Sequence, residues 1–332
     1  LSAASAGART GAPTVTAAPT AETVAGRVVA RFGRRCIVAL DAPAPAASSS
    51  IAGGPGATEV DAVPRGRRLD VVVGDRVRCT RERELHVIEE VTPRRNLLFR
   101  SDANHIKPLA ANVDQIAIVF AMQPPPQKEF IWRALLAARA AGVDSIAILN
   151  KIDLESAVAL AILHDIAALG GRVLRVSART DPQGTRDMLA GPCAGRVTLL
   201  VGQSGMGKST LLNLLVDAEV RTGALSRGGT HGRQTTTATR WFSYGADGAL
   251  IDTPGFHEFG LAHLPAADLI RWLPEFDAIT EPCRFADCRH AEEPGCRIRE
   301  AVERGSIAAD RYAFYRKLCA QELEQRRAER GF

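Results

Sequence analysis

Val197-Thr198-Leu199-Leu200-Val201-Gly202-Gln203-Ser204-Gly205-Met206-Gly207-Lys208-Ser209-Thr210-Leu211-Leu212 is the run that decides how this chain folds. Val197 to Val201 reads as a strand buried on both faces, and Thr210 to Val216 has the composition of a helix. Between them stands Gly-x-x-x-x-Gly-Lys-Ser. Glycines in such a loop let successive backbone amides wrap around phosphate oxygens, and the N-terminus of the helix that follows adds favourable partial charge. The expectation is a nucleotide held by Gly202, Gln203, Ser204, Gly205, Met206, Gly207, Lys208, Ser209 and Thr210. Lys208 would neutralise the β and γ phosphates, and the Ser209 hydroxyl would ligate Mg²⁺.

Working outward, strands and helices alternate on the N-terminal side. Val113 to Phe120, Ser145 to Leu149 and Arg172 to Val176 read as strands; Glu129 to Ala141 and Ile162 to Leu169 have helical spacing. This is the pattern of a parallel sheet covered on both faces, an α/β fold whose ligands bind at the carboxyl ends of the strands. Chemistry-bearing residues follow those strands. Asn150-Lys151-Ile152-Asp153 comes directly after Leu149, and a carboxylate at Asp153 could accept two hydrogen bonds from guanine that adenine cannot offer. An ordinary strand-to-helix turn with an N-cap Asp would look the same. Further along, Leu250-Ile251-Asp252-Thr253-Pro254-Gly255 closes a strand with an acid placed to hold Mg²⁺ through water and a glycine amide, Gly255, placed to sense the γ-phosphate. Gly228 to Thr237, with Thr235, Thr236 and Thr237, suits a mobile switch one of whose threonines, with Thr235 the candidate taken, completes the Mg²⁺ shell, or a plain polar loop.

The flanks differ in kind. Residues 1–21 are low-complexity and offer little to bury, so they are expected to be disordered. From Gly26 come short β-like runs, Arg27 to Phe32, Cys36 to Leu40, Leu69 to Val73, Arg76 to Thr80, Leu85 to Val91 and Leu97 to Phe99, interrupted by a Pro/Ala/Ser/Gly insertion from Ala42 to about Pro64. Strands without helices suggest a small OB-like β-barrel, of a class that commonly binds nucleic acid, with an SH3-like barrel as the alternative. Arg65 to Arg100 holds ten arginines against six acids, enough to supply most of the net charge of +5 and to suit a phosphate-rich partner; a solvated face is the competing view. Near the other end, Cys283, Cys288, His290 and Cys296 form Cys-x4-Cys-x-His-x5-Cys, four ligands that suit one closed, structural Zn²⁺ site. Cys36, Cys79, Cys193 and Cys319 read as buried small apolar groups. Ile307 to Arg330 reads as a charged helix with Tyr312, Phe314 and Tyr315 as packing residues. No run of apolar residues is long enough for a membrane span, and the start lacks a signal-peptide layout, which points to the cytoplasm and away from a membrane partner.

Guanine motif before phosphate loop, with Asp252 to Gly255 last, is a circular permutation of the ordinary GTPase order. With it, and with Ala110-Ala111-Asn112-Val113-Asp114-Gln115 at the barrel junction, the chain closely resembles the RsgA (YjeQ) family of GTPases over residues from about 24 to 320. The resemblance implies a barrel at 22–107, a circularly permuted GTPase domain at 108–262 and a zinc-binding helical domain at 263–332. It also implies a GTP hydrolase, acting as a monomer, stimulated by the small ribosomal subunit and its rRNA and working in late subunit assembly. Asn150, Lys151, Asp153, Ser177, Ala178, Asp252 and Gly255 join the phosphate loop as the expected GTP/GDP contacts, Ser177-Ala178 fitting the family's second guanine contact. One departure stands out: family members carry a histidine implicated in hydrolysis just before the switch threonines, and this chain has Gln234 there. The residues expected to act in hydrolysis are thus Lys208, Thr235 and Gln234, which could orient water, with His231 as the rival. An RNA-binding module would leave the nucleotide motifs without a role, and an ATP-dependent kinase would leave Asp153 without one.

Overall fold

A computed structural model of the chain describes residues 23–41, 58–66, 69–102, 105–154, 158–216, 238–254 and 256–330. The first strands are β1 (Thr23–Phe32), β2 (Arg35–Leu40), β3 (Glu59–Pro64), β4 (Arg76–Glu82) and β5 (Leu85–Val91). β1 pairs with both β2 and β4, β2 with β3, β3 with β5 and β5 with β4, so the five close on themselves. The parallel β3–β5 pair among antiparallel neighbours gives the OB-like order and sets aside the SH3-like alternative. Val28, Cys36, Val38, Val77, Cys79 and Ile88 fill the interior, so two of the isolated cysteines do serve as small buried groups.

Two expectations need correction here. The stretch expected as insertion contains β3, and Leu69 to Val73 is not a strand: only Val73 makes a bridge, to Ala110. Its valines are buried all the same, because Asp75 folds the segment into a turn, its carboxylate accepting from Val72 N at 2.8 Å and its own amide donating to Val72 O at 3.2 Å. Hydrophobicity demanded burial there and not pairing. β6 (Leu97–Asp102) and β7 (His105–Ala111) form a separate two-stranded ribbon outside the barrel.

Beyond the ribbon lies the sheet made of β8 (Gln115–Phe120), β9 (Asp144–Leu149), β10 (Arg172–Arg175), β11 (Val197–Val201), β12 (Arg240–Tyr244) and β13 (Gly248–Asp252). Its order is β10-β9-β8-β11-β13-β12, parallel except for β12 at the edge, which meets the barrel through one bridge, Ala30 to Arg240. Helices α1 (Lys128–Ala140), α2 (Val158–Ala168), α3 (Pro182–Cys193) and α4 (Lys208–Leu215) cover it. Ile116, Ile118 and Phe120 point toward the face with α1, whereas Ala117 and Val119 join Leu189, Leu211 and Leu212 on the other. Burial on both faces is why these strands read as unbroken apolar runs. The chain builds outward from β8 to β10, then returns to β11 beside β8 and steps to the other side. The β8–β11 boundary is therefore the point where strand order reverses, and the crevice at its carboxyl end is the natural ligand position.

Four further helices complete the described residues: α5 (Ala266–Trp272), α6 (Pro274–Asp277), α7 (Arg297–Glu303) and α8 (Ala309–Glu329). Phe314 and Tyr315 of α8 are buried, packing on Trp132 of α1 at 5.3 Å and on Phe276 of α6 at 5.0 Å between ring centroids. These aromatics close one core with α1 and are not available to stack on bases. No helix among the described residues is long and apolar enough to cross a membrane.

Among the described residues, five arginines of the arginine-rich stretch, Arg65, Arg76, Arg78, Arg94 and Arg95, pair with acids of the chain itself. Arg94 donates through Nε and Nη2 to Asp75, which is fully buried. Arg95 pairs with Asp114 at 2.8 Å and donates to Asn112 O at 3.0 Å, and Arg76 pairs with Asp41 at 2.7 Å. Arg65 joins Glu82 and Glu89 at the surface. Arg67 and Arg68 lie outside the described residues, while the exposed Arg81 and Arg83 make no ion pair among them.

Candidate nucleotide site and cysteine cluster

The loop between β11 and α4 has a shape that its glycines make possible. Gly207 sits at φ 88° as the N-cap of α4, and a Cβ there would lie 2.2 Å from Nδ2 of Asn150. A Cβ on Gly202 would lie 2.6 Å from Val119 O. A side chain at Gly202 would press on the backbone of β8 and one at Gly207 on the Asn150 amide, and the result is a loop packed against β8 and the turn after β9.

Asn150 is the hub. It is 3% exposed; its Nδ2 donates to Met206 O at 3.0 Å, and its Oδ1 accepts from the Ala178 amide at 3.1 Å. One side chain thereby ties three loops, those after β9, β10 and β11, in fixed relation. Lys151, at φ 60°, adds a second tie, its ammonium donating to Gly205 O at 2.7 Å and Gln123 O at 2.8 Å. Asp153 projects at the surface beside these ties, and its carboxylate accepts from the Ser177 hydroxyl, which in turn accepts from Thr180 Oγ1 at 2.6 Å. Asp153 is thus a fixed acceptor beside the phosphate loop.

On the other side of the loop, Lys208 at the start of α4 forms an ion pair with Asp252 at the end of β13, both side chains about nine-tenths buried. Register puts Asp252 beside Leu200 of β11, and Thr253 Oγ1 donates to Leu200 O at 2.9 Å, fixing the turn after the acid. Ser209 and Thr210 follow Lys208 in the first turn of α4 and are exposed. Gly255, His231, Gln234 and Thr235 lie outside the described residues. The chain brings together Asn150, Lys151, Asp153, Ser177, Ala178, Lys208, Ser209 and Asp252 around one loop, an array able to grip a purine at one end and a polyphosphate at the other.

Sequence reasoning missed several supports. The Gln127 amide donates to Gln203 Oε1 at 3.0 Å, locking the loop to the start of α1. Thr180 backs Ser177, and α3 itself was not foreseen, although Asp181 caps it by accepting from the Gly184 amide at 2.9 Å with Pro182 in the first turn. That cap was a usable signal; Gly184, Gly191 and Pro192 obscured the helix behind it.

Cys283, Cys288, His290 and Cys296 converge, their ligand atoms all within 4.8 Å of one another. The three sulfurs lie 3.6, 3.6 and 3.4 Å from Nδ1 of His290. A tetrahedral Zn²⁺ with ordinary bond lengths has sulfur–nitrogen edges of about 3.5 Å, so the donor set fits that ion. His290 adopts φ 55°, and its carbonyl accepts from the Tyr312 hydroxyl of α8 at 2.7 Å. The cluster is therefore fastened to the long C-terminal helix.

The profile of the RsgA GTPase family matches residues 91–262. Proteins named small ribosomal subunit biogenesis GTPase RsgA are similar over nearly the whole chain: one from Burkholderia pseudomallei strain 1710b is 46% identical over 92% of this chain and 95% of its own, and one from Paraburkholderia phymatum is 45% identical over 89% and 90%. Among solved structures, YjeQ from Thermotoga maritima superposes with a TM-score of 0.61 at 27% identity, covering 91% of this chain and 99% of that one. YloQ, described as a circularly permuted GTPase, superposes with a TM-score of 0.60 at 21% identity, covering 92% of this chain and 96% of that one, a likeness of fold.

Proposed function

Because the chain belongs to the RsgA GTPase family, we propose that it is a small ribosomal subunit biogenesis GTPase, which hydrolyses GTP to GDP and phosphate and couples that reaction to late maturation of the subunit. The observation that carries this is the hub at Asn150, which holds the carboxylate of Asp153 in fixed relation to the Gly202–Ser209 loop. Guanine meets Asp153 through its N1 and exocyclic amine, with the Ser177–Ala178 turn beside the base. The loop amides and Lys208 hold the phosphates. Mg²⁺, when bound, would be held by Ser209 and Thr235 and, through water, by Asp252, and would neutralise charge on the transferring phosphoryl group. Gln234 orients the attacking water, with Gly255 against the γ-phosphate.

The division of labour follows 22–107 for the barrel, 108–262 for the GTPase domain and 263–332 for the C-terminal domain. One Zn²⁺ on Cys283, Cys288, His290 and Cys296 leaves no open position for water, and its role is to hold the C-terminal domain together. The barrel and the C-terminal domain present the chain, as a cytoplasmic monomer, to the rRNA of the subunit. Measuring GTP hydrolysis with and without purified small subunits, with large subunits as the control, tests the proposal; equal stimulation by both subunits refutes the specificity.

A further inference from the structure

The segment that follows Asp252 and Thr253 is clamped on three sides. Between Phe256 and Gly260 it runs antiparallel to β6: the Ser101 amide donates to Glu258 O and the Gly260 amide to Phe99 O, each at 3.1 Å. Phe256 packs edge-on against Phe130 of α1 at 5.9 Å and against the fully buried Phe259 at 4.7 Å. The third side is Arg133, in the middle of α1 and 2% exposed. Its Nη1 donates to Phe259 O at 3.4 Å, and its Nη2 donates to Oε1 of Gln321 on α8 at 2.8 Å. The Glu258 carboxylate lies 3.4 Å from its Nε, and the guanidinium sits 5.9 Å from the centre of the Phe314 ring.

A guanidinium in such a place is expensive: burial holds its pKa below the usual arginine range despite Glu258, and an apolar side chain would fill the space without that penalty. What an apolar side chain could not do is hold two acceptors at once, one behind the acid of β13 and one on the C-terminal helix. A cavity of about 390 Å³, lined by Ser101, Arg133, Gly260 and Gln321 among others, lies at the same junction and gives these parts room to shift. Only three residues separate Asp252 from Phe256, so a displacement at the acid reaches the clamp with little slack.

We propose that Arg133 is a positioning residue that couples the segment behind Asp252 to α8, so that the nucleotide state changes how the C-terminal half of α8 is docked. The proposal rests on Asp252 lying at the phosphate end of the nucleotide, as proposed above. Coupling of this kind is reciprocal, so whatever pins α8 from outside shifts nucleotide preference by the same factor.

The test is hydrogen exchange on the full, zinc-loaded chain with GDP and with a non-hydrolysable GTP analogue, read on peptides spanning residues 318–328, with the affinities of both nucleotides measured on the same samples. In the unaltered chain, protection should differ between the two states by at least about 5-fold, the lower end of ordinary coupling. Arg133→Met and Gln321→Leu should each shrink the difference to within about twofold with GDP affinity unchanged, and Gln321→Glu, which keeps an acceptor for Arg133, should retain it. If Arg133→Met does not fold, Gln321→Leu decides. Persistence of the difference in Gln321→Leu, its loss in Gln321→Glu, or its absence from the unaltered chain with both nucleotides bound overturns the coupling. Failure to bind either nucleotide refutes instead the functional proposal on which it rests.

Discussion

Asp153→Asn changes one oxygen to an amide nitrogen and should redirect base preference. The wild-type carboxylate accepts from N1–H and from the exocyclic amine of guanine, each a hydrogen bond to a charged group worth about 1.5–3 kcal/mol. Asparagine keeps one acceptor and turns a donor toward the other guanine donor. At least one of the two bonds is lost, which corresponds to roughly 10- to 150-fold weaker GTP and GDP binding. Xanthine carries a carbonyl where guanine carries the amine, so the same variant should gain affinity for xanthosine triphosphate. The hydrogen bonding around Asp153 ranks a second variant: Ser177 donates to Asp153 and is itself backed by Thr180 at 2.6 Å. Ser177→Ala leaves the carboxylate charged but unguided, and because it removes orientation and not a bond to the base, it should cost less than Asp153→Asn, at most about tenfold in affinity. Displacement of a fluorescent GDP analogue measures all of these. An Asp153→Asn protein that binds GTP as wild type does and ignores the xanthine nucleotide would refute the guanine assignment, as would equal binding of ATP and GTP by the unaltered chain.

Asn150→Leu leaves the buried Met206 carbonyl and Ala178 amide without their partner, and should lower stability by about 2–6 kcal/mol in urea unfolding, with a loss under about 0.5 kcal/mol counting against the hub. Protein purified without chelators should carry one zinc per chain, and Cys288→Ala should abolish it and loosen residues around the cluster while GDP binding persists; a zinc-free wild type by metal analysis would end the assignment. Gln234→Ala should lower subunit-stimulated turnover by about 10²-fold or more at nearly unchanged GTP affinity, and single-turnover kinetics in parallel with His231→Ala would move the role to His231 if only that variant fails.

How much of this was legible in the sequence depends on whether a signal is local. The phosphate loop was, because strand, glycines, Lys208 and helix are contiguous, and each needs its neighbours for a stated reason. The guanine end was legible from one strand ending at Leu149 with Asn150 to Asp153 behind it, but the role of Asn150 as a three-loop tie was not, since Met206 and Ala178 are far along the chain. β3 was hidden because Glu59–Pro64 is short, broken by Glu59 and Asp61 and preceded by low-complexity sequence; β12 was hidden because Arg240–Tyr244 is an aromatic run too short to tell from a packed loop. Arg94, Arg95 and Arg133 show the limit most plainly. An arginine reads as unpaired until tertiary structure supplies a buried Asp75, an Asp114 or a Gln321 to receive it, and Arg95 stays exposed even so.

The order of the motifs acquires a mechanical meaning from the sheet. In the unpermuted order the phosphate loop comes first and the guanine motif late. Here the chain leaves the sheet by β13, the strand that ends in Asp252, so the C-terminal helices are tethered covalently to that acid, through a segment already paired to β6 and held by Arg133. The barrel is fastened next door, at the edge strand β12 beside β13, where β1 meets β12 in a reciprocal clasp: the Arg27 guanidinium lies 4.7 Å from the Trp241 ring and the Arg240 guanidinium 5.2 Å from the Phe32 ring. Such cation–π contacts are worth about 0.5–2 kcal/mol each, enough to bias an orientation and too little to forbid a change in it. β12 begins three residues after Thr237, the end of the expected switch. Both units that flank the GTPase sheet are thus attached within a few residues of elements that a bound phosphate would order, one through a strand edge and one through a buried arginine. Because Arg240 pairs with Asp252 across β12 and β13, both attachments lie at one end of the sheet, and a change at the nucleotide can reach either flank without the sheet deforming, since packed cores shift between discrete arrangements and do not bend continuously.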